Sequence, residues 1–222
     1  CQLISSDEDE QSYTFSKVSG ILFEIESEGS ITITTVPDYE VAQTITLNVK
    51  VTDIVGGTSE DTIDINIVDV NETPYFINSA CEKNKNVDEN YIGPINGGTM
   101  DAEDPDTLAT DSEWRELTYS IPPGEIYSDF YEIDPKTGVI STKRGLDYET
   151  DAKGNGHPLT IVVSDGGDTG GNGVGRSTSC VVTIFTNNVN EAPETHDQVG
   201  SVGNTLNNEY ILALPVKDGD SV

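Results

Sequence analysis

Basic residues are scarce in this sequence: 11 Lys and Arg stand against 40 Asp and Glu in 222 residues, and the formal net charge is −29. Nucleic acids and anionic membrane surfaces attract basic proteins, so this charge argues against both as partners. The acidic excess has three interpretations: a disordered segment, a solvated surface, or carboxylates gathered to hold multivalent cations. The strand pattern described below argues against disorder.

Long apolar runs are also missing. No segment approaches the roughly 18 apolar residues of a membrane-spanning helix, and the longest candidate, residues 210–216, contains Pro215. The first residues, Cys1-Gln2-Leu3-Ile4, have neither the basic end nor the apolar middle of a signal peptide. We therefore expect any signal peptide or membrane anchor to lie outside this piece of sequence.

Cysteine and histidine are rare. Three cysteines lie far apart without a Cys-x-x-Cys pair, so zinc is not expected; in an extracellular chain the odd number indicates one disulfide and one cysteine whose partner lies elsewhere. Neither His157 nor His196 accompanies a nucleophile at a recognisable spacing, and we expect both to be solvated loop residues. Paired carboxylates recur in every unit, which a single glycosidase site would not need. The sequence therefore predicts no enzymatic activity.

Internal repetition is the strongest signal that is present. Four markers recur in the same order with a period of roughly 110 residues, which indicates duplication. Residues 29–40 return as 138–149 with the same closing Asp-Tyr-Glu, residues 47–53 as 160–165, residues 69–74 as 188–193, and residues 6–9 as 103–106 and again as 217–220.

Within one period the local pattern is that of β-strands. Apolar and polar residues alternate over 45–51 and again over 63–67, as in a strand with one buried face. Clusters of Gly, Asn, Asp and Pro separate these runs, and no segment has the periodicity of a capped helix. Several short strands in about 110 residues predict a two-sheet sandwich.

These repeats predict three regions along the chain. Residues 1–72 form a repeat that lacks its first strand, residues 73–191 form one complete repeat, and residues 192–222 begin a third.

Acidic residues lie where strands are predicted to end. Asp38 and Glu40 are two residues apart, so both side chains could point the same way if this segment is extended. Ca²⁺ takes carboxylate, amide and backbone oxygens of the kind found at these ends. Two like charges about 4 Å apart cost about 4 kcal/mol near a protein surface, and divalent cations would remove that repulsion. If the repeats stack end to end, seven carboxylates gather near the first junction: Asp38, Glu40, Asp69, Glu72, Asp104, Asp106 and Asp165.

The order of these markers resembles the cadherin repeat over nearly the whole chain. It includes Val87-Asp88-Glu89-Asn90, Ala102-Glu-Asp104-Pro-Asp106, Leu146-Asp147-Tyr148-Glu149, Val163-Ser-Asp165 and Asn188-Val-Asn190-Glu191-Ala-Pro193. The resemblance implies an all-β fold of tandem Greek-key, seven-stranded β-sandwiches of cadherin type, end to end, with calcium in the linkers. Both linkers have Asn-Glu-x-Pro where the common family pattern is Asn-Asp-Asn-x-Pro, and Asn188 stands where aspartate is usual.

The resemblance also implies the ligands of each linker. The first set is Asp38, Glu40, Asp69, Asn71, Glu72, Asp104, Asp106 and Asp165. The second set is Glu89, Asp147, Glu149, Asn188, Asn190, Glu191, Asp218 and Asp220. Asp7, Asp9 and Asp53 would serve a linker that precedes this fragment.

The function implied by the resemblance is calcium-dependent cell–cell adhesion on the extracellular face of the plasma membrane. The partner would be another cadherin-like ectodomain, homophilic or heterophilic, and the membrane would be reached only through an anchor outside this fragment. The alternative is a calcium-stiffened spacer whose partner-binding repeats lie elsewhere. Trp114 lies in an insertion, where it would either anchor a partner or fold onto its own sandwich. The repeat pattern as a whole fits a non-classical, many-repeat relative.

A disulfide between Cys81 and Cys180 follows from the same resemblance. In the cadherin-type sandwich the first and last strands run side by side in the same direction, and each cysteine precedes its linker marker, Glu89 or Asn188, by eight residues. The alternative is two buried free thiols.

The first linker also contains a glycosylation sequon, Asn71-Glu72-Thr73. We expect it to carry no sugar because Asn71 is a proposed calcium ligand.

Overall fold

The structure is a computed structural model that describes residues 3–6, 12–82, 84–108, 112–152, 155–166, 175–195 and 216–217. Nearly all of its regular elements are β-strands, as the alternating sequence pattern predicts. None of its described helices has the length and apolar character needed to cross a bilayer. Contacts divide the chain into two compact units; one boundary falls between Glu72 and Thr73, and residues 105–115 return to the first unit.

The first unit takes in the described residues of Cys1–Glu72 and Pro105–Arg115. Its strands are β1 (Tyr13–Ser19), β2 (Phe23–Ile25), β3 (Ile31–Ile33), β4 (Thr44–Asp53) and β5 (Thr58–Asn66). β1, β4 and β5 form one antiparallel sheet, and β2 pairs with β3 in a second. Phe23, Leu47 and Val49 form its buried centre, and Leu47 is fully buried.

The second unit contains the other described residues. Its strands are β6 (Tyr75–Phe76), β7 (Lys85–Asp88), β8 (Gly93–Thr99), β9 (Ala102–Glu103), β10 (Thr118–Ser120), β11 (Tyr131–Ile133), β12 (Val139–Thr142), β13 (His157–Ser164), β14 (Ser177–Asn187), β15 (Glu194–Thr195) and β16 (Val216–Lys217). One sheet has the order β10-β13-β14-β7 and another the order β11-β12-β8, which gives a seven-stranded sandwich. Short pairs, β6-β9 and β15-β16, complete the described pairing.

The core of the second unit lies between its two sheets. Buried side chains come from the first sheet, such as Val87 and Ile161, and from the second, such as Tyr131 and Ile140. Leu159, Ile161 and Val163 alternate along β13 with partly exposed residues, because successive side chains of a strand point to opposite faces. This all-β sandwich confirms the fold class predicted from the sequence.

The disulfide predicted between Cys81 and Cys180 is present, with 5.8 Å between the two Cα atoms. β7 and β14 are parallel neighbours, and Ile184 lies opposite Lys85. The paired positions of this ladder and the two cysteines have the same separation of 99 residues. The bridge therefore continues the register of the first and last strands of the sandwich.

Two short helical turns interrupt the strands, and neither was predicted. A 3₁₀ turn, Ser112–Arg115, buries Trp114 to 8% exposure, so this side chain is not displayed as an anchor for a partner. A π-helical turn, Tyr148–Ala152, follows β12 and contains the repeated Asp-Tyr-Glu marker.

Other sequence expectations have different outcomes. The expectation that His157 is a solvated loop residue is wrong, because it begins β13 and is 1% exposed. His196, Cys1 and most of the predicted third repeat lie outside the described residues. The domain boundaries at 72 and 191 stay predictions.

Candidate metal centres

A first acidic cluster, consisting of Glu40, Asp69 and Asp106, forms within the first unit. One carboxylate oxygen from each residue lies within 4.8 Å of the others. Asp69 follows β5, and Asp106 lies in the segment that contacts place in this unit. Asp106 is fully buried, and its Oδ2 accepts a hydrogen bond from the backbone N–H of Glu72 at 2.8 Å. The linker residues predicted as ligands therefore lie beside the carboxylate that the Asp-x-Asp marker supplies.

The electrostatics of the first cluster favour a cation. Burial raises the pKa of Glu40, and the carboxylates of Glu72, Asp106 and Asp69 raise it further. The buried Oε1 of Glu40 has no hydrogen-bond partner among the described residues. An exclusively oxygen ligand set fits a hard cation such as Ca²⁺ rather than zinc, which prefers nitrogen and sulfur ligands. These residues fit the predicted ion.

Asp38 has a different local role from the one its spacing suggests. The segment is a turn, not an extended strand, and the Oδ1 atom of Asp38 accepts the backbone N–H groups of Glu40 at 2.9 Å and Val41 at 3.2 Å. Asp side chains commonly make such bonds to the following backbone. The extended geometry assumed from the sequence is wrong, and the side chain of Asp38 instead holds the turn that carries Glu40.

A second acidic cluster, consisting of Glu89, Asp147 and Glu149, forms within the second unit by the same distance criterion of 4.8 Å. Glu89 follows β7 and is 4% exposed. One of its carboxylate oxygens accepts the N–H of Tyr148 at 3.0 Å, and the other accepts the N–H of Val189 at 2.6 Å. Glu89 thereby ties the Asp-Tyr-Glu turn to the segment that follows β14.

Charge repulsion accumulates in the second cluster as well. Burial raises the pKa of Glu149, and Glu89, Asp147 and Glu191 raise it further. In the part of the chain that the structure describes, no ion pair joins Glu89, Asp147 or Glu149 to a basic side chain. The carboxylates thus fit an oxygen-binding cation, as in the first cluster.

The remaining predicted ligands of the second linker lie close to this cluster or outside the described residues. The amide of Asn188 donates a hydrogen bond to Oε1 of Glu149 at 3.0 Å. The amide of Asn190 donates to the backbone oxygen of Glu191 at 3.2 Å. Asp218 and Asp220 lie outside the described residues.

Asn90 is a participant that the sequence reasoning did not assign to the site. Its side-chain amide donates a hydrogen bond to Oε1 of Glu191 at 2.7 Å, and its φ is 60°. Asn tolerates this left-handed conformation better than most residues. Its position directly after Glu89 is the signal that could have found it.

Three predicted acids lie at strand ends, and two of them accept backbone N–H groups there. Asp165 is 7% exposed and accepts the N–H of Arg176 at 2.7 Å, at the ends of β13 and β14. Asp53 accepts the N–H groups of Val55 and Gly57 at the end of β4. Asp104, in the second unit, follows β9 and is half-buried. Asp7 and Asp9 lie outside the described residues. The ligand role of each of these residues stays a prediction.

Comparisons with known proteins agree with this architecture. The cadherin domain family matches residues 85–185. The chain is 28% identical over 204 residues to the Fat-like cadherin-related tumor suppressor homolog of Drosophila melanogaster, covering 88% of this chain and 4% of that protein. It is 32% identical over 148 residues to the protocadherin-like wing polarity protein stan of Drosophila melanogaster, covering 63% and 4%. The chain thus spans a small part of these relatives.

Solved structures share the fold. Mouse cadherin-23 EC22-24 has a TM-score of 0.62 at 22% identity, with 95% of this chain and 66% of that chain covered. Human protocadherin-24 EC1-2 has a TM-score of 0.66 at 18% identity, with 85% and 88% covered. The family match shows a cadherin domain over residues 85–185, and the likenesses to solved cadherin ectodomains show that the chain shares their fold.

Proposed function

We propose that this chain is a calcium-binding part of an extracellular adhesion protein, in which calcium stiffens the junctions between repeats. One observation carries the proposal: each unit brings three carboxylates together. The Asp-Tyr-Glu marker contributes Glu40 to the first cluster, and it contributes Asp147 and Glu149 to the second. Cadherin domains are adhesion-type extracellular modules and are generally not enzymes. The relatives named above support the adhesive class.

Calcium would supply the positive charge that the two clusters need. It takes about 6–8 oxygen ligands, more than three monodentate carboxylates provide, so the neighbouring predicted ligands and water would complete each shell. For the first cluster these neighbours are Asp38, Asn71 and Glu72. For the second cluster they are Asn188, Asn190 and Glu191. Asp104 and Asp165 are further proposed ligands of the first linker. The chain's own contribution is to hold the carboxylates together before the ion arrives.

Adhesion remains the leading function, and a spacer is the alternative. The proposed partner is another cadherin-like ectodomain, homophilic or heterophilic, at the outer face of the plasma membrane. In the alternative, the same calcium-bound repeats only set the distance between other, partner-binding repeats.

A thermal denaturation experiment tests calcium binding. We expect Ca²⁺ to raise the melting temperature, because each site adds about 2.7 kcal/mol of stability when free calcium is about 100 times its Kd. Mg²⁺ serves as the control, since it demands a smaller octahedral site. The same melting temperature in millimolar calcium and in excess chelator would contradict the proposal.

Bead aggregation separates adhesion from spacing. Beads coated with this fragment should aggregate in calcium and disperse in chelator if the fragment itself carries an adhesive surface. Calcium-dependent stabilisation without aggregation would favour the spacer.

A further inference from the structure

His157 occupies a buried position in the second unit with both ring nitrogens bonded. Nε2 lies 3.0 Å from the backbone oxygen of Asp151, and Nδ1 lies 2.8 Å from the hydroxyl of Tyr131. Because a carbonyl oxygen only accepts, Nε2 must carry the hydrogen, and Nδ1 then accepts from Tyr131. A neutral imidazole therefore satisfies both partners.

An aromatic cage surrounds this histidine. The ring of Tyr127 stacks on it with centroids 4.3 Å apart and planes at 14°, and Phe130 packs at 5.5 Å. Arg144 lies 4.0 Å above the ring of Phe130 and donates two hydrogen bonds to the carboxylate of Asp151, each at 3.0 Å. The titratable and charged groups that face His157 are thus Tyr127, Tyr131, Asp151 and, behind Phe130, Arg144.

Asp151 connects the histidine to the second acidic cluster. The N–H of Asp151 donates to the backbone oxygen of Asp147 at 2.8 Å, and its Oδ2 accepts the N–H of Asp147 at 3.0 Å. These bonds close the π-helical turn whose Asp147 and Glu149 supply two of the cluster's three carboxylates. His157 holds the far end of this turn, and Glu89 holds its middle through the N–H of Tyr148.

We propose that His157 is a positioning residue that fixes the turn carrying Asp147 and Glu149 and thereby sets the calcium affinity of the second cluster. The inference rests on the calcium function proposed above. The bond from Nε2 to the backbone oxygen of Asp151 ties the turn to the start of β13, and the bond to Tyr131 fixes the plane of the ring. Without these bonds the turn loses its fixed position, and the two carboxylates no longer meet Glu89 in the binding geometry.

The first unit provides an internal control. Alignment of Leu47 with Leu159 and of Asp53 with Asp165 places Ile45 at the position of His157. An isoleucine cannot hydrogen-bond the preceding turn. Calcium binding by the first cluster should therefore not depend on the side chain at this position.

The test compares His157→Phe with His157→Gln in the 222-residue chain. Phe keeps the aromatic packing and loses both hydrogen bonds; Gln can donate to Asp151 and accept from Tyr131 but lacks the aromatic ring. A Glu40→Gln background weakens the first cluster, so that calorimetric calcium binding reports the second. We expect His157→Phe to weaken calcium binding by about tenfold or more, as loss of groups that orient metal ligands commonly does, and His157→Gln to restore it.

Rescue by His157→Gln is the readout that a loss of packing alone would not give, because Gln restores the hydrogen bonds but not the ring. Equal affinity of a folded His157→Phe variant and the parent overturns the positioning role. If His157→Phe does not fold, His157→Gln decides: an affinity well below that of the parent overturns the role assigned to the two hydrogen bonds.

Amide hydrogen exchange in chelator separates the two proposals. Asp151 should exchange faster in His157→Phe than in the parent, while Leu47 of the first unit is unchanged. If the parent binds no calcium, the proposed function fails. The exchange rate of the Asp151 amide then decides by itself whether His157 positions the turn. An unchanged exchange rate overturns that role.

Discussion

Each unit has a sheet of the same type, and the two sheets differ in their number of strands. β1-β4-β5 in the first unit corresponds to β10-β13-β14 in the second, where β7 adds a fourth strand. β2-β3 corresponds to β11-β12, to which β8 is added. Among the described residues of the first unit, no strand corresponds to β7 or β8. Counted over the described residues, the largest buried cluster has three residues in the first unit and thirteen in the second.

This difference teaches which parts of the acidic clusters depend on the complete sandwich. Both clusters use the Glu of the Asp-Tyr-Glu marker, which follows β3 or β12 and so needs only the shared strands. Glu89 enters the second cluster from the end of β7, a strand without a counterpart in the part of the first unit that the structure describes. The Asp-Tyr-Glu turn is therefore common to both clusters, and the other carboxylates come from different segments in each unit.

Removing the disulfide should have the largest effect on the comparison. The Cys81→Ser/Cys180→Ser double variant should destabilise the second unit by up to about 4.7 kcal/mol, because the bridge closes a loop of roughly 100 residues in the unfolded chain. Denaturant titrations followed by the amide NMR signals of Leu47 and Leu159 report the two units separately. Cys1→Ser is the control, and equal losses in both units would contradict the expectation.

Paired core truncations should come next. Leu47 and Leu159 are both fully buried at equivalent positions of β4 and β13. Each Leu→Ala change should cost about 2–5 kcal/mol, with Leu159 nearer the upper limit because the surrounding core is larger and leaves a better-defined cavity. Val181→Ala, at a residue that is 54% exposed, is the control for denaturant unfolding. A larger loss at Leu47 would reverse the proposed ranking of the cores.

Neutralising one acid in each cluster should change stability less than the substitutions above, and it should stabilise the calcium-free protein rather than destabilise it. Burial and neighbouring carboxylates raise the pKa of Glu40 and of Glu149. An acid with a raised pKa contributes its stability below its ordinary pKa and loses it as pH rises through the raised value. At neutral pH in chelator, Glu40→Gln and Glu149→Gln should therefore raise the melting temperature, while reducing the further rise caused by calcium. A lower melting temperature in chelator would contradict the repulsion.

The last prediction concerns the glycosylation sequon at Asn71, where we expect no modification at all. Asn71 is 3% exposed, so the sequon that begins there should stay unmodified in a secreted eukaryotic preparation. Intact mass should then be unaffected by Asn71→Gln beyond the substitution itself. The control is Asn86→Thr, which creates a sequon at the exposed Asn84. A glycan at Asn71 would show that the linker opens during folding.

The sequence predicted the strands well because alternation is a local property. Residues 45–51 lie within β4, and the cysteine offsets matched the parallel register of β7 and β14. Turn geometry was less accessible: Asp38 and Asp147 sit in turns whose form depends on hydrogen bonds several residues away. His157 was assigned to a loop, although the alternation of Leu159, Ile161 and Val163 continues back to it. That extension was the available signal.

The covalent link between β7 and β14 has a mechanical consequence. A pulling force along the chain enters the second unit near Thr73 and leaves it after Asn187, so the tension passes through the Cys81–Cys180 bond. The 99 residues of separation between the cysteines are then shielded from the load. Fully extended, such a stretch would lengthen the molecule by about 330 Å. With the bond intact, an overloaded unit can yield only the short lengths outside the bridge, so it behaves as a nearly inextensible link.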